Sequence, residues 1–324
     1  MDKQMFVDRY KRFKLNEEEI NDCLETICAY ERQVSKDIKE TTIEDIKSYM
    51  AFLVESNTNT YNNVIHFARY YYYIGKKEEY VFMTRYFNTL GVLENIIDRI
   101  TLSESETTKS MVMKDVVLPP FGTDAELLPS YTKDFMDKLD RHLSKDACQK
   151  ILAGNNHGIP KASFDQEKAY YQEAESLEVY LKERHERKVQ ELTNHYQENK
   201  VWFEQIITQD VIDYVKNNQE ILSGVIKGNK LYVTKIPYDT SKFLNTTDSV
   251  AKRYYACHCT FVRENIKNEI LDMPKEWCNC SAGFAKYPFE VILNQPLNVS
   301  LLKTPLDGDE ICRFEIDLEG VFFK

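Results

Sequence analysis

Glycine is scarce in this chain, with 10 residues in 324 against 21 Tyr and 17 Phe. That balance disfavours a loop-rich β protein and favours helices with aromatic packing. No run of 18 apolar residues occurs, so no membrane-spanning helix and no membrane partner are expected. The first twenty residues carry no continuous apolar stretch behind their basic residues and do not read as a secretory signal. Glycine-rich phosphate loops and internal repeats are absent. Positive charge is also short. The net charge is −10, and residues 1–100 hold 14 Lys+Arg against 17 Asp+Glu. Without a segregated basic patch such a chain repels a phosphate backbone, so no nucleic-acid partner is expected. Eight cysteines in 324 residues are too few for a disulfide scaffold, and the expected location is the cytoplasm, where thiols stay reduced.

What is present is enough apolar sequence, 43%, for two cores. Helical spacing predicts helices over 5–30, 43–54, 58–74 and 78–100. Thr42 with Glu44 and Asp45 forms a start signal, and Gly75 a stop. The polar, proline-bearing stretch 101–131 reads as a linker or docking loop. Helices follow over about 132–152, 164–199 and 208–222. After Gly228 the period changes to two. "KLYVTKI", "RYYACHC", "LNVSLL" and "ICRFEIDL" read as strands, the last with Cys312, Phe314, Ile316 and Leu318 on one face. The expected class is α+β: a helical domain over 1–100, the linker, and an α+β ligand-binding-like domain over 132–324 with an antiparallel sheet and packed helices.

Half of the cysteines fall in "CHCTFVRENIKNEILDMPKEWCNC". On a strand, Cys257 and Cys259 share a face with Cα atoms about 6.6 Å apart and parallel Cβ vectors, and His258 turns away. That geometry disfavours a vicinal disulfide. A tetrahedral zinc site at Cys257, Cys259, Cys278 and Cys280 needs both pairs to converge, and Cys-x-Cys is a weaker match than the usual Cys-x2-4-Cys. No cofactor is therefore expected, with zinc as the alternative. Small hydrophobic packing competes with both. Cys280 differs from the others because "SAGFAKYPFEVIL" reads as a helix start capped by Asn279 or Ser281. A thiol there feels the partial positive charge of the helix end, although Pro288 points to two short turns rather than one helix.

"WCNCSAGFAKYPFEVIL" followed by "NVSLLKTPLDGDEICRFEIDL" resembles the closing segment of vinyl-reductase-type small-molecule-binding domains and of the related aminothiazoline-carboxylate hydrolase-like family. The matching positions are Cys280, Gly283, Gly308, Asp309, Cys312, Phe314 and Ile316, over about 50 residues. Upstream, "VWFEQIITQDVIDYVKNNQEILSGV" and "LYVTKIPYDT" look like a bacterial family that shares this ending. The resemblance implies a pocket between helices and a curved antiparallel sheet. A fainter likeness, of "TIEDIKSYMAFLVESNTNTYNNVIHFARYYYYI" to the helical domain of tyrosine recombinases, brings no matching catalytic constellation.

On the long helix, His185 and His195 fall on or beside the apolar stripe of Leu177, Leu181, Val189, Leu192 and Tyr196. His185 is a candidate base. Arg184, within "RHERK", is a candidate for holding a carboxylate, although an ordinary solvated face explains that charge run better. "GNNHGIP" places His157 in a polar loop flanked by glycines. "RYYYYI" at 69–74 fits core aromatics better than a base-stacking platform. The expected function is binding of a small molecule in a cysteine-lined site. If the protein is an enzyme, the expected reaction is hydrolysis of a small carboxylated or sulfur-containing compound, with Cys280 and His185 catalytic and Cys257, Cys259, Cys278 and Arg184 contacting the ligand. A non-enzymatic ligand sensor and a zinc-stabilised protein-interaction module are the alternatives.

Overall fold

The computed structural model describes residues 6–8 and 15–323. Helix makes up 60% and strand 8%, with small antiparallel sheets among many helices, so the class is α+β. The chain divides into two compact units, Met1–Thr89 with Pro119–Leu127, and Leu90–Leu118 with Leu128–Lys324.

The first unit carries α1 (Glu17–Val34), α2 (Ile43–Glu55), α3 (Tyr61–Ile74) and α4 (Lys77–Phe87). Part of the helix expected over 5–30 falls on residues 5 and 9–14, outside the described residues. α1 begins instead at a capping box between Asn16 and Glu19. Thr42 caps α2 through a second box with Asp45, and Gly75 ends α3 in the left-handed conformation, both as the sequence predicts. The core is aromatic. Tyr30, Tyr49 and Phe67 meet edge to face, and the buried Tyr71 hydroxyl lies 2.7 Å from the Thr41 hydroxyl and 3.1 Å from that of Tyr30. Tyr70 is buried beside them. The helix expected over 78–100 is broken where Gly91 adopts a φ of 73°.

The second unit begins with α5 (Val92–Ser103) and α6 (Glu106–Met113), followed by α7 (Leu128–His142) and α8 (Lys145–Leu152). The stretch 101–131 is thus not a plain loop. Ser105 caps α6 by accepting from the Thr108 N–H, a start signal masked in the sequence by its polar surroundings. The single helix expected over 132–152 is two, because Ser144 caps a new one at Lys145. The one expected over 164–199 is likewise α9 (Asp165–Glu173) and α10 (Leu177–Gln197), restarted by Ser176. A two-residue hairpin of β1 (Val201–Trp202) and β2 (Gln205–Ile206) and α11 (Gln209–Lys216) follow.

The main sheet has four antiparallel strands in the order β3 (Val225–Lys227), β4 (Lys230–Thr234), β6 (Arg313–Asp317), β5 (Asn298–Lys303). Its buried face is formed by Leu231, Val233, Val299, Phe314 and Ile316, with Cys312 and Leu318 flanking β6, which matches the alternation read in "ICRFEIDL". Between β4 and β5 lie α12 (Thr240–Asn245), α13 (Ser249–Ala256), α14 (Arg263–Asn268) and α15 (Asn279–Leu293). The strand expected at "RYYACHC" is absent. Asp248 accepts from the Ala251 N–H and starts α13, which ends at Ala256. Cys257 and Cys259 therefore sit in an irregular turn, and the shared strand face is corrected.

α15 joins two cores. Phe289, Ile292 and Leu293 pack on the sheet with Tyr180 and Leu181, while Cys280 belongs to a second cluster with Trp277, Phe261, Leu139, Ile151 and Leu152. It is one helix despite Pro288. An interior proline costs roughly 3 kcal/mol. Burial of those three side chains, at roughly 1.5–3 kcal/mol each, exceeds that cost. Gly283 sets how closely α15 approaches α8. A Cβ at Gly283 would stand 2.5 Å from the Ala153 carbonyl carbon and the Gly154 carbonyl oxygen.

Two effects compete in Gly283→Ala. Helix propensity favours alanine by about 1 kcal/mol, while the backbone overlap is of a kind that costs about 1–3 kcal/mol or more. The overlap is with main chain that cannot rotate away, so the variant is expected to be destabilised, with a lower urea midpoint at unchanged slope. A midpoint equal to or above that of wild type would show that the close approach is not a constraint.

Candidate functional site

The Gly283 contact brings the start of α15 against the loop that leaves α8. In that loop Asn156 is fully buried, and its amide donates to the Leu152 carbonyl at 2.6 Å. Its own carbonyl accepts from the Asn95 amide at 2.9 Å. Pinned from both sides, the loop places His157 Nε2 3.9 Å from Cys280 Sγ. The His157 ring meets Phe284 edge to face at 5.1 Å. Lys235, just beyond β4, stands 4.8 Å over the same Phe284 ring and donates to the Ser281 hydroxyl at 3.2 Å. Three segments far apart in sequence thus meet around the first two turns of α15.

The other block cysteines have partners of their own. Trp277 donates its indole N–H to Cys259 Sγ at 3.2 Å, and the Thr304 hydroxyl donates to Cys278 Sγ at 2.9 Å. Cys257, Cys278, Cys280 and Cys312 are buried, and none of the chain's cysteines is in a disulfide. Among the described residues no three His, Cys, Asp or Glu side chains are arranged to hold a metal ion. Two of the four thiols that a zinc site would need as thiolates, Cys259 and Cys278, instead accept hydrogen bonds from neutral donors.

Cys280 does begin a helix, but the expected lowering of its pKa is corrected. The helix end is not free. A 3-10 turn over Lys275–Cys278 runs into α15, and neither Asn279 nor Ser281 caps it. The Asn279 N–H is already bonded to the carbonyls of that turn. Burial then pushes the Cys280 thiol up to about 12, helped by the neighbouring Cys259. Burial likewise raises Cys257, Cys259 and Cys278, and takes Cys312 to about 11. His157 moves the other way. The residue as a whole is exposed, but its ring packs on Phe284 and beside Cys280. Loss of solvent around the ring, and then the Lys235 charge, lower it to about 4, which favours a neutral ring at pH 7. The resting pair is thiol and imidazole, not thiolate and imidazolium.

The structure brings neither His185 nor Arg184 to this pair, and of the other block cysteines Cys259 is near enough to act on Cys280. His185 on α10 is bonded through Nε2 to the Lys216 carbonyl at 3.2 Å, which ties α10 to α11. Arg184 is buried, 4.0 Å from the Glu167 carboxylate and 3.4 Å from the Tyr180 hydroxyl. With Arg187 also on Glu167 at 3.4 Å, this cluster fastens α9 to α10, and Arg184 is occupied. The histidine beside Cys280 is His157, signalled in the sequence only by its glycine-flanked loop. Lys235 carried no signal, and Ser281 only that of a candidate helix cap.

Lys235 has no carboxylate within ion-pair distance among the described residues, in a protein with a net charge of −10. A second cation, Arg263 at the start of α14, is 1% exposed. Desolvating such a charge costs several kcal/mol, and stacking on an aromatic ring returns about 2 kcal/mol when dry. Elsewhere in this unit, a groove of about 420 Å³ is lined by Arg253, Asn265, Glu269, Ile270, Asp272 and Leu306 among others. There Arg253 is already held by Glu269 at 2.8 Å and by the Pro305 carbonyl at 2.9 Å. No protein-family model, curated protein or solved structure matches the chain.

Reactivity follows from burial. Cys28 on α1 is partly exposed, and a short iodoacetamide pulse at neutral pH on folded protein is expected to label it first. The buried Cys257, Cys278 and Cys280 should label slowly, as neutral buried thiols do. Early labelling of Cys280 in peptide mapping, with a midpoint near or below 8.5, would contradict this.

Proposed function

We propose that the second unit binds a small carboxylated compound at the start of α15. The observation that carries this reading is Lys235. Its ammonium is partly buried, stands on Phe284 and Ser281 beside Cys280 and His157, and has no carboxylate of its own among the described residues. A charge-assisted pair with a ligand carboxylate fits that donor set. Neutral Cys280 and His157 would then supply a soft, weakly polar wall, suited to a ligand that also carries sulfur.

Hydrolysis is the second reading, favoured by the 3.9 Å approach of Cys280 to His157. Here His157 would take the thiol proton as the thiol attacks a carbonyl or imine carbon. A thiol near 12 and an imidazolium near 4 oppose that transfer strongly, so binding without turnover is the reading preferred here.

The test is a panel of small carboxylates, half of them with thioether or thiazoline sulfur, screened by thermal shift and by turnover. At least one is expected to raise the unfolding temperature saturably. Lys235→Met should weaken it by about tenfold or more, the scale of one charged hydrogen bond, and Cys280→Ser should keep most of the affinity. Binding that ignores Lys235→Met, or no binder in the panel, counts against the proposal. Turnover lost in Cys280→Ser would move the assignment to the hydrolase.

A further inference from the structure

Arg263 is among the most deeply buried large side chains of the protein. Its Nε, Nη1 and Nη2 have no hydrogen-bond partner among the described residues. The guanidinium carbon lies 4.0 Å from the ring centre of Tyr238 and 5.3 Å from that of Tyr254. Ring faces favour the positive charge but accept no N–H bond of ordinary strength. Burial works against the charge and both phenols favour it, without Tyr238 reaching hydrogen-bond geometry.

The adjacent carboxylate is not its counter-ion. Glu264 accepts from the Tyr254 hydroxyl at 2.7 Å and from Lys267 at 3.0 Å. His258 is engaged too, with Nε2 2.6 Å from the Ile236 carbonyl and Nδ1 4.0 Å from Glu204. Two other arginines of this unit, Arg184 buried and Arg187 partly so, are treated differently. Arg184 and Arg187 also leave Nε without a hydrogen bond, yet they share the Glu167 carboxylate. Arg263 alone of these three has neither a carboxylate nor a carbonyl among the described residues. A buried charge of this kind is strongly destabilising unless something pairs with it.

We propose that Arg263 anchors a buried oxyanion site, whose occupant presents two oxygens to the guanidinium nitrogens that have no partner among the described residues. The fixed fork of donors matches a carboxylate or a phosphate-like oxyanion, and a lysine would not match it. The cation lies beside the Cys257–Cys259 turn, close enough for its charge to act on Cys257 and His258. The site does not depend on the Lys235 reading, and either can fail alone.

The experiment is thermal unfolding of the full chain in acetate, inorganic phosphate or chloride at one fixed ionic strength. Wild type is expected to gain a saturable rise in midpoint with acetate or with phosphate, beyond that in chloride. An acetate response identifies an organic carboxylate site and a phosphate response an inorganic or phosphorylated one, and either supports the proposal. Arg263→Met should abolish the response and Lys235→Met should leave it. If Arg263→Met does not fold, Arg263→Lys keeps the charge without the fork, and the half-saturating concentration should rise about tenfold or more. No saturable response in wild type, an unchanged response in Arg263→Met or Arg263→Lys, or a response lost in Lys235→Met instead, would overturn the assignment. The arginine would then be a structural cation stacked on two rings.

Discussion

The site rests on one close approach between two stretches of main chain. Gly283 lets α15 lie against the residues that close α8, at a distance that no side chain on that face would permit. From this contact follow the meeting of Cys280 with His157 and the position of Ser281 and Phe284 under Lys235. The same helix then packs its far half, from Phe289 to Leu293, on the sheet. Small size at one helical position thus fixes a helix between two cores, and the arrangement of polar groups at its start is a consequence of that packing.

Charge is distributed unusually around this helix start. The thiols are neutral because burial and mutual proximity penalise thiolates, and the two nearest histidines are neutral because loss of solvent, and then nearby cations, penalise imidazolium. The positive groups are Lys235 and Arg263, and neither has a carboxylate partner among the described residues, in a chain rich in acids. Other cations of the same unit are paired. Arg313 binds Glu220 through two nitrogens at 2.7 and 2.9 Å. Lys235, Arg263 and the neutral thiols are the features on which the proposed anion sites rest.

The last strand was legible because burial on one face writes a period of two into "ICRFEIDL". Thr42 and Gly75 were legible because caps act locally. The breaks at Ser105, Ser144 and Ser176 used the same chemistry, but each lay inside a longer apolar period that suggested continuity or inside a polar run that suggested a loop. "RYYACHC" looked like a strand because its aromatics suit one. Asp248, four residues upstream of Lys252, decided otherwise by capping a helix. In the cysteine block, the lowered pKa expected for Cys280 is overturned by its burial. A helix start lowers a thiol's pKa only when its N–H groups are free and some water remains, and the 3-10 turn and the surrounding core remove both conditions. Nothing in the local sequence pairs Cys280 with His157, 123 residues away. That pairing arises from Gly283, whose role needs the packed backbone to be seen.

The central claim is that Cys280 and His157 rest as a neutral pair. It is tested most directly by following the His157 ring through a pH titration by NMR, with His157→Gln to assign the signal. The account predicts a ring that stays neutral down to about pH 4. Since the unfolded ring binds its proton near 6.5, the pair contributes stability that is full above 6.5 and is lost as the pH falls toward 4. A ring that is charged at pH 7 and loses its proton only above 6.5 would mean an imidazolium paired with a thiolate, and would contradict the account.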